Sequence, residues 1–70
     1  GATQSLLGRA LAQTSDDALT QLLYINILSR QATSAELQTA EALLSSGARA
    51  QKAQELMWTL YNKVDFIFNY

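Results

Sequence analysis

Residues 22–37 read LLYINILSRQATSAEL, and the fold turns on how this run is divided. Its first half, Leu22 to Leu28, is apolar nearly all round. The β-branched Ile25 and Ile27 admit a strand there. Two neighbours favour a helix instead: the upstream apolar positions Ala18, Leu19, Leu22 and Leu23 recur at helical spacing, and Ser15 precedes them as an N-cap. Asp16 and Asp17 then supply negative charge where a helix N-terminus favours it, and Arg30 suits the other end. A helix apolar on every side is a central one, touched from several directions. In the second half, Thr33-x-x-Glu36 is the capping-box pattern, which opens a new helix carrying Leu37, Ala40, Leu43 and Leu44 as its buried stripe.

Working outward, Ser45-Ser46-Gly47 ends that helix, with Gly47 expected in the left-handed conformation. A further helix is expected from about Ala48 to Asn62, with Ala50, Ala53, Met57, Leu60 and Val64 along one face. Trp58 and Tyr61 lie on another face, and Asn62 is read as the stop, leaving Phe66 to Tyr70 as a last turn or folded-back tail. On the N-terminal side, Ser5 to about Gln13 is a short amphipathic helix with Leu7, Ala10 and Leu11 on one side, weakened by Gly8. Residues 1–4 are read as a cloning remnant or disordered leader and residues 5–70 as one helical domain, whole or a fragment of a larger chain. The expected class is all-α: a small bundle of three main helices plus a short N-terminal one, joined by short loops.

Composition narrows the function. Seventy residues without proline or cysteine bury only ~60% of the unfolded chain's surface, so stability is marginal. Eleven of the apolar residues are alanine, which leaves twelve leucines and six aromatics as the main core material. Histidine and cysteine are both absent, which removes the commonest proton shuttle, the best nucleophile and His/Cys metal ligands. The six acids (Asp16, Asp17, Glu36, Glu41, Glu55, Asp65) are too scattered for a carboxylate calcium site. We therefore expect no enzyme, no metal and no cofactor. A net charge of −1 argues against nucleic acid, and no run of eighteen apolar residues exists for membrane insertion. Arg49 and Lys52 open the last helix, where cations oppose its dipole; they read as an anion contact or, more simply, as a solvated turn.

Five of the six aromatics fall in the last thirteen positions. Tyr24, Phe66 and Phe68 are expected to seal the core, while Trp58 and Tyr61 are expected to form an interface. Arg30 and Asp65 are read as a pair that holds the tail down and is costly to break on one side if buried.

Two runs carry a resemblance. LLYINILSRQATSAEL resembles the pattern Leu-Tyr-x-x-x-Leu-Ser-Arg-x-x-Thr-x-x-Glu-Leu. ELMWTLYNKVDFIFNY, residues 55–70, resembles Leu-x-Trp-x-Leu-x-Asn-x-x-(Glu/Asp)-Phe-x-Phe-Asn. Both occur in this order at the C-terminus of a domain-of-unknown-function family abundant in planctomycete-type bacteria. Its members are often secreted or envelope-associated and often carry a cytochrome-c-like domain. The likeness spans about Leu19 to Tyr70, with departures: Gln31 and Ala32 stand where the family commonly has proline, implying a looser turn, and Tyr61 and Tyr70 replace leucine and histidine. The resemblance implies a periplasmic, envelope or secreted setting, a natural C-terminus near Tyr70, and any haem chemistry upstream. It brings no catalytic residue. The expected role is a non-catalytic structural or interaction module whose partner is the parent's upstream domains or another protein. A glycan-binding module using exposed aromatics is the alternative.

Overall fold

The computed structural model describes the backbone of residues 2–68 and the side chains of residues 5–63. Four helices and no strand occur among these residues: α1 (Ala2–Leu11), α2 (Asp16–Leu28), α3 (Ser34–Leu44) and α4 (Arg49–Phe68). The all-α reading holds. At 10 residues α1 is only one shorter than α3, so a short leader beside three main helices is a rough fit. The radius of gyration, 11.4 Å, is close to the ~11 Å of a compact chain of this length.

The helix ends are built as the sequence suggests at three places. Ser15 adopts extended backbone and its hydroxyl accepts from the Ala18 N–H at 3.1 Å, so α2 begins with its orphan donors met. The Thr33–Glu36 capping box is complete in both directions: Thr33 Oγ1 accepts from the Glu36 N–H at 3.2 Å, and Glu36 Oε1 accepts from the Thr33 N–H at 2.9 Å. At the end of α2, Ser29 turns left-handed with φ 61°, and its N–H closes onto the Ile25 carbonyl at 3.2 Å. This is a costly conformation for a residue with a Cβ, and it swings Arg30 back over the helix it has just left.

Several expectations need correction. Gly47 is not left-handed, and no glycine among the described residues has a positive φ. Ser46 makes that conformation unnecessary, because both its N–H (3.1 Å) and its hydroxyl (2.6 Å) donate to the Leu43 carbonyl. A Cβ at position 47 would lie 2.8 Å from Lys52 Cε, near the end of a flexible side chain that can move aside. Helix α4 does not stop at Asn62 but runs through Phe68. Asparagine alone costs a helix only a few tenths of a kcal/mol, and neither glycine nor proline follows to break it. Ala50, expected on the buried face of α4, is exposed, and Leu56 joins Ala53, Met57 and Leu60 there instead. In that first turn Arg49, not an apolar side chain, meets the neighbouring elements. The loop after α2 is also better held than its missing proline suggested. The Gln21 amide brackets Ala32, accepting from its N–H at 2.8 Å and donating to its carbonyl at 3.3 Å. A proline at position 32 would forfeit the shorter of these bonds.

Helix α2 touches α1, α3 and α4, as an all-round apolar helix must, and α4 likewise touches the other three. The core is mostly leucine and alanine, with Tyr24 and Met57: Leu6 and Ala10 come from α1, Leu19, Leu23 and Tyr24 from α2, Ala40 and Leu44 from α3, and the rest from the α4 stripe and Ala32. Alanine at so many contacts lets the axes approach while adding little apolar area. Thr20 is buried among them with a hydroxyl that meets no partner among the described residues, and nothing in the structure explains it.

Arg49 joins what these contacts leave open. Its guanidinium donates to the carbonyls of Leu11 and Gln13, both at 3.2 Å, and to Asp16 Oδ1 at 3.2 Å. With Ala12 N–H on the Gly8 carbonyl, the Gln13 side chain on that of Arg9 and Gln13 N–H on that of Ala10, the last four carbonyls of α1 are all satisfied. Arg49→Ala should therefore lower stability by about 1–2 kcal/mol, and Arg49→Lys should recover only part, since one ammonium cannot span these acceptors. Urea unfolding followed by circular dichroism would read both. Gly8, in the middle of α1, has nothing within 4 Å of where its Cβ would stand. Gly8→Ala should raise stability by about 0.5–1 kcal/mol, seen as a higher melting temperature.

Candidate functional site

Three features gather on and beside α4. The first is aromatic. Trp58 is 54% exposed, and Tyr61, one turn on, is half-buried against the core. Their ring centroids are 6.0 Å apart and their planes are inclined by 54°. The pair is thus tilted edge toward face, a favourable arrangement for aromatics, with the Trp58 ring presented to solvent. Spacing on the helix had already put these two together, and the structure places them as a partly open face.

The second feature is the charge cluster at the turn from α2 to α3. Arg30 grips Glu36 with two bonds, Nη1 to Oε1 at 2.8 Å and Nη2 to Oε2 at 2.9 Å. Its guanidinium also lies 5.5 Å from the centre of the Tyr24 ring, within cation–π range. Lys63 of α4 stands 3.9 Å from Glu36 Oε2. The Glu36 carboxyl is consequently held at a pKa of about 2, chiefly by the Arg30 hydrogen bonds and next by the Thr33 N–H. The Tyr24 phenol moves the other way: burial raises its pKa, the Glu36 carboxylate adds to this, and Arg30 partly opposes it. A phenol so placed stays protonated at neutral pH and is no nucleophile there.

Between α3 and α4 lies the third feature, a groove of about 280 Å³ floored by Tyr24. Each helix contributes four residues at i, i+3, i+4 and i+7: Glu36, Thr39, Ala40 and Leu43 from α3, and Leu56, Thr59, Leu60 and Lys63 from α4. The two stripes run antiparallel, so Glu36 meets Lys63 at one end. Leucines from both helices line the groove away from that end, which makes it polar at one end and apolar at the other.

Of the residues singled out in the sequence, Tyr24 is buried at 4% exposure, as a core residue should be. The side chains of Phe66, Phe68 and Asp65 lie outside the described residues, so the aromatic seal and the Arg30–Asp65 pair are not described. Arg30 instead has Glu36 as its carboxylate partner among the described residues. Arg49 is neither an anion site nor a solvated turn; its donors go to backbone carbonyls and Asp16. The Arg30–Glu36 pair carried a legible signal, since the two residues bracket one turn. Nothing in the sequence flagged Gln21. No group of His, Cys, Asp or Glu among the described residues could hold a metal ion, and no described helix is long and apolar enough to cross a membrane. Set beside the known protein families, the curated proteins and the solved structures, the chain matches none.

The pKa of Glu36 fixes how its contribution varies with pH. The carboxyl is depressed in the folded state relative to the ~4.3 of an unfolded glutamate. Its stabilisation is therefore complete above about pH 4.5 and lost as pH falls toward about 2. Glu36→Gln keeps a side chain that can close the capping box but removes the charge. The variant should be less stable than the parent protein at pH 7, and the gap should close between pH 4.5 and 2. Urea midpoints at pH 7, 4 and 2.5 would measure it.

Proposed function

We propose that this chain is a compact helical bundle, three main helices and a leading one, acting as a non-catalytic interaction module at the C-terminus of a larger bacterial envelope protein. The observation that carries this reading is Trp58, a large apolar side chain that is 54% exposed beside a half-buried Tyr61 on a helix otherwise tied into the core. Tryptophan and tyrosine are enriched at the centres of protein interfaces, where a rigid ring contributes contact area at little entropic cost. The two terminal motifs, with their likeness to the planctomycete-type family, support an envelope or secreted setting and make the parent's own upstream domains the first partner to test. Haem chemistry, where a parent has it, belongs to those upstream domains.

The glycan reading draws on the same exposed ring, since a sugar can stack on tryptophan. The 54° inclination between the rings counts against it, because the two do not form one flat platform. A protein surface, which can mould to a tilted pair, is the better match.

The isolated chain should show Trp58 fluorescence readily quenched by acrylamide, and the same residue should become protected when the natural upstream domains are present in one polypeptide. Trp58→Ala should leave the fold's stability within about 0.5 kcal/mol, as an exposed position does, yet release the docked module. Equal quenching with and without the upstream domains would sink the docking idea. Protection by an envelope polysaccharide instead would move the assignment to glycan binding.

A further inference from the structure

The groove between α3 and α4 stands apart from the aromatic pair. At ~100° per residue, Trp58 points to the side of α4 away from the Leu56–Thr59–Leu60–Lys63 stripe. Something other than the docking partner is therefore free to use it. The groove is two helical turns long, ~10 Å, and its chemistry changes along that length. Leu43, Leu56 and Leu60 make it apolar, while Lys63 and the Arg30–Glu36 pair stand at the other end.

Charge at the polar end selects the ligand's head group. Both Glu36 oxygens are already engaged, Oε1 by Arg30 and the Thr33 N–H, and Oε2 by Arg30. Lys63, half exposed, is 3.9 Å from Oε2, beyond hydrogen-bond distance. Two cations thus face one carboxylate, so among the described residues this end of the groove carries a net positive charge. From this we propose that the groove binds a single-chain amphiphile with a carboxylate head, its apolar body lying on Leu43, Leu56 and Leu60 and its head at Lys63. An alkylammonium would meet two like charges and only the one carboxylate that they already share. A free monomeric carboxylate suits the site better than a bilayer surface. A protein of net charge −1 has little attraction for an anionic membrane.

The experiment is a backbone amide NMR titration of the 70-residue chain with octanoate below its micelle concentration, alongside octanol and octylammonium. The expected result is saturable shifts over residues 36–43 and 56–63, with octanoate bound more tightly than either control. Lys63→Gln should weaken octanoate by about five-fold, the size of an exposed charge contact, and leave octanol unchanged. Thr59→Phe plugs the groove from an exposed position and should abolish the shifts while circular dichroism stays that of the parent. The proposal is overturned by shifts that do not saturate, by octanol or octylammonium matching octanoate, or by undiminished binding to a folded Thr59→Phe variant. Binding seen only with anionic vesicles overturns it as well. None of these outcomes bears on Trp58, so the docking reading stands or falls separately.

Discussion

The Glu36 carboxylate has two oxygens and faces groups from three parts of the chain. It accepts the Thr33 N–H and so closes the start of α3, and it accepts both arms of Arg30, the residue that follows the left-handed Ser29 at the end of α2. Lys63 of α4 stands at its outer side. A domain of this size has little apolar area with which to fix the relative positions of its helices, and much of its core is alanine. Directional bonds at the junctions then decide what burial alone leaves loose. Because one charge serves the cap, the turn and the approach of α4, these contacts reinforce one another and are not additive. Its exposure limits what each ion pair contributes singly, yet the bidentate fork sets an orientation that a point charge would not.

The other junctions follow the same rule, with a long polar side chain reaching for backbone groups that have no helical partner. Arg49 does this for the corner between α1 and α2, and Gln21 for the loop before α3. Backbone groups near helix ends must be satisfied somewhere, and in a chain with so few residues per loop there is little local backbone to do it. Side chains from neighbouring helices fill the gap. Such bonds also explain why the turn after Arg30 is firm without proline, since an amide on both sides of Ala32 restrains it as a ring would, and keeps the N–H donor that proline lacks.

What could be read from the sequence divides along the same line. The caps at Ser15 and at Thr33–Glu36 were legible because capping is a bond between residues three apart, and no tertiary information is needed to place it. The central standing of α2 was legible from its all-round apolarity. Arg49 was not, because its acceptors lie 33 to 38 residues away and nothing local distinguishes a clamp from a solvated cation. Gly47 misled for a related reason: glycine after a helix signals a left-handed turn, yet the Ser46 bonds to the Leu43 carbonyl close this helix without one. Trp58 and Tyr61 were visible as a pair by spacing alone. The groove was not, since each of its eight helical positions is ordinary and only the antiparallel register of α3 and α4 aligns them.

Helix α4 therefore carries three demands in one sequence. Its buried stripe of Ala53, Leu56, Met57 and Leu60 separates the groove flank from the flank that bears Trp58 and Tyr61. A ligand on one flank can influence the other by shifting the helix. Such a shift is opposed at both ends of the described stretch, by Arg49 on the α1–α2 corner and by Lys63 beside Glu36. Of these two restraints the second is the weaker, a separation of 3.9 Å between partly exposed groups. A carboxylate in the groove would compete with Glu36 for the Lys63 ammonium and so loosen the tie between α4 and α3.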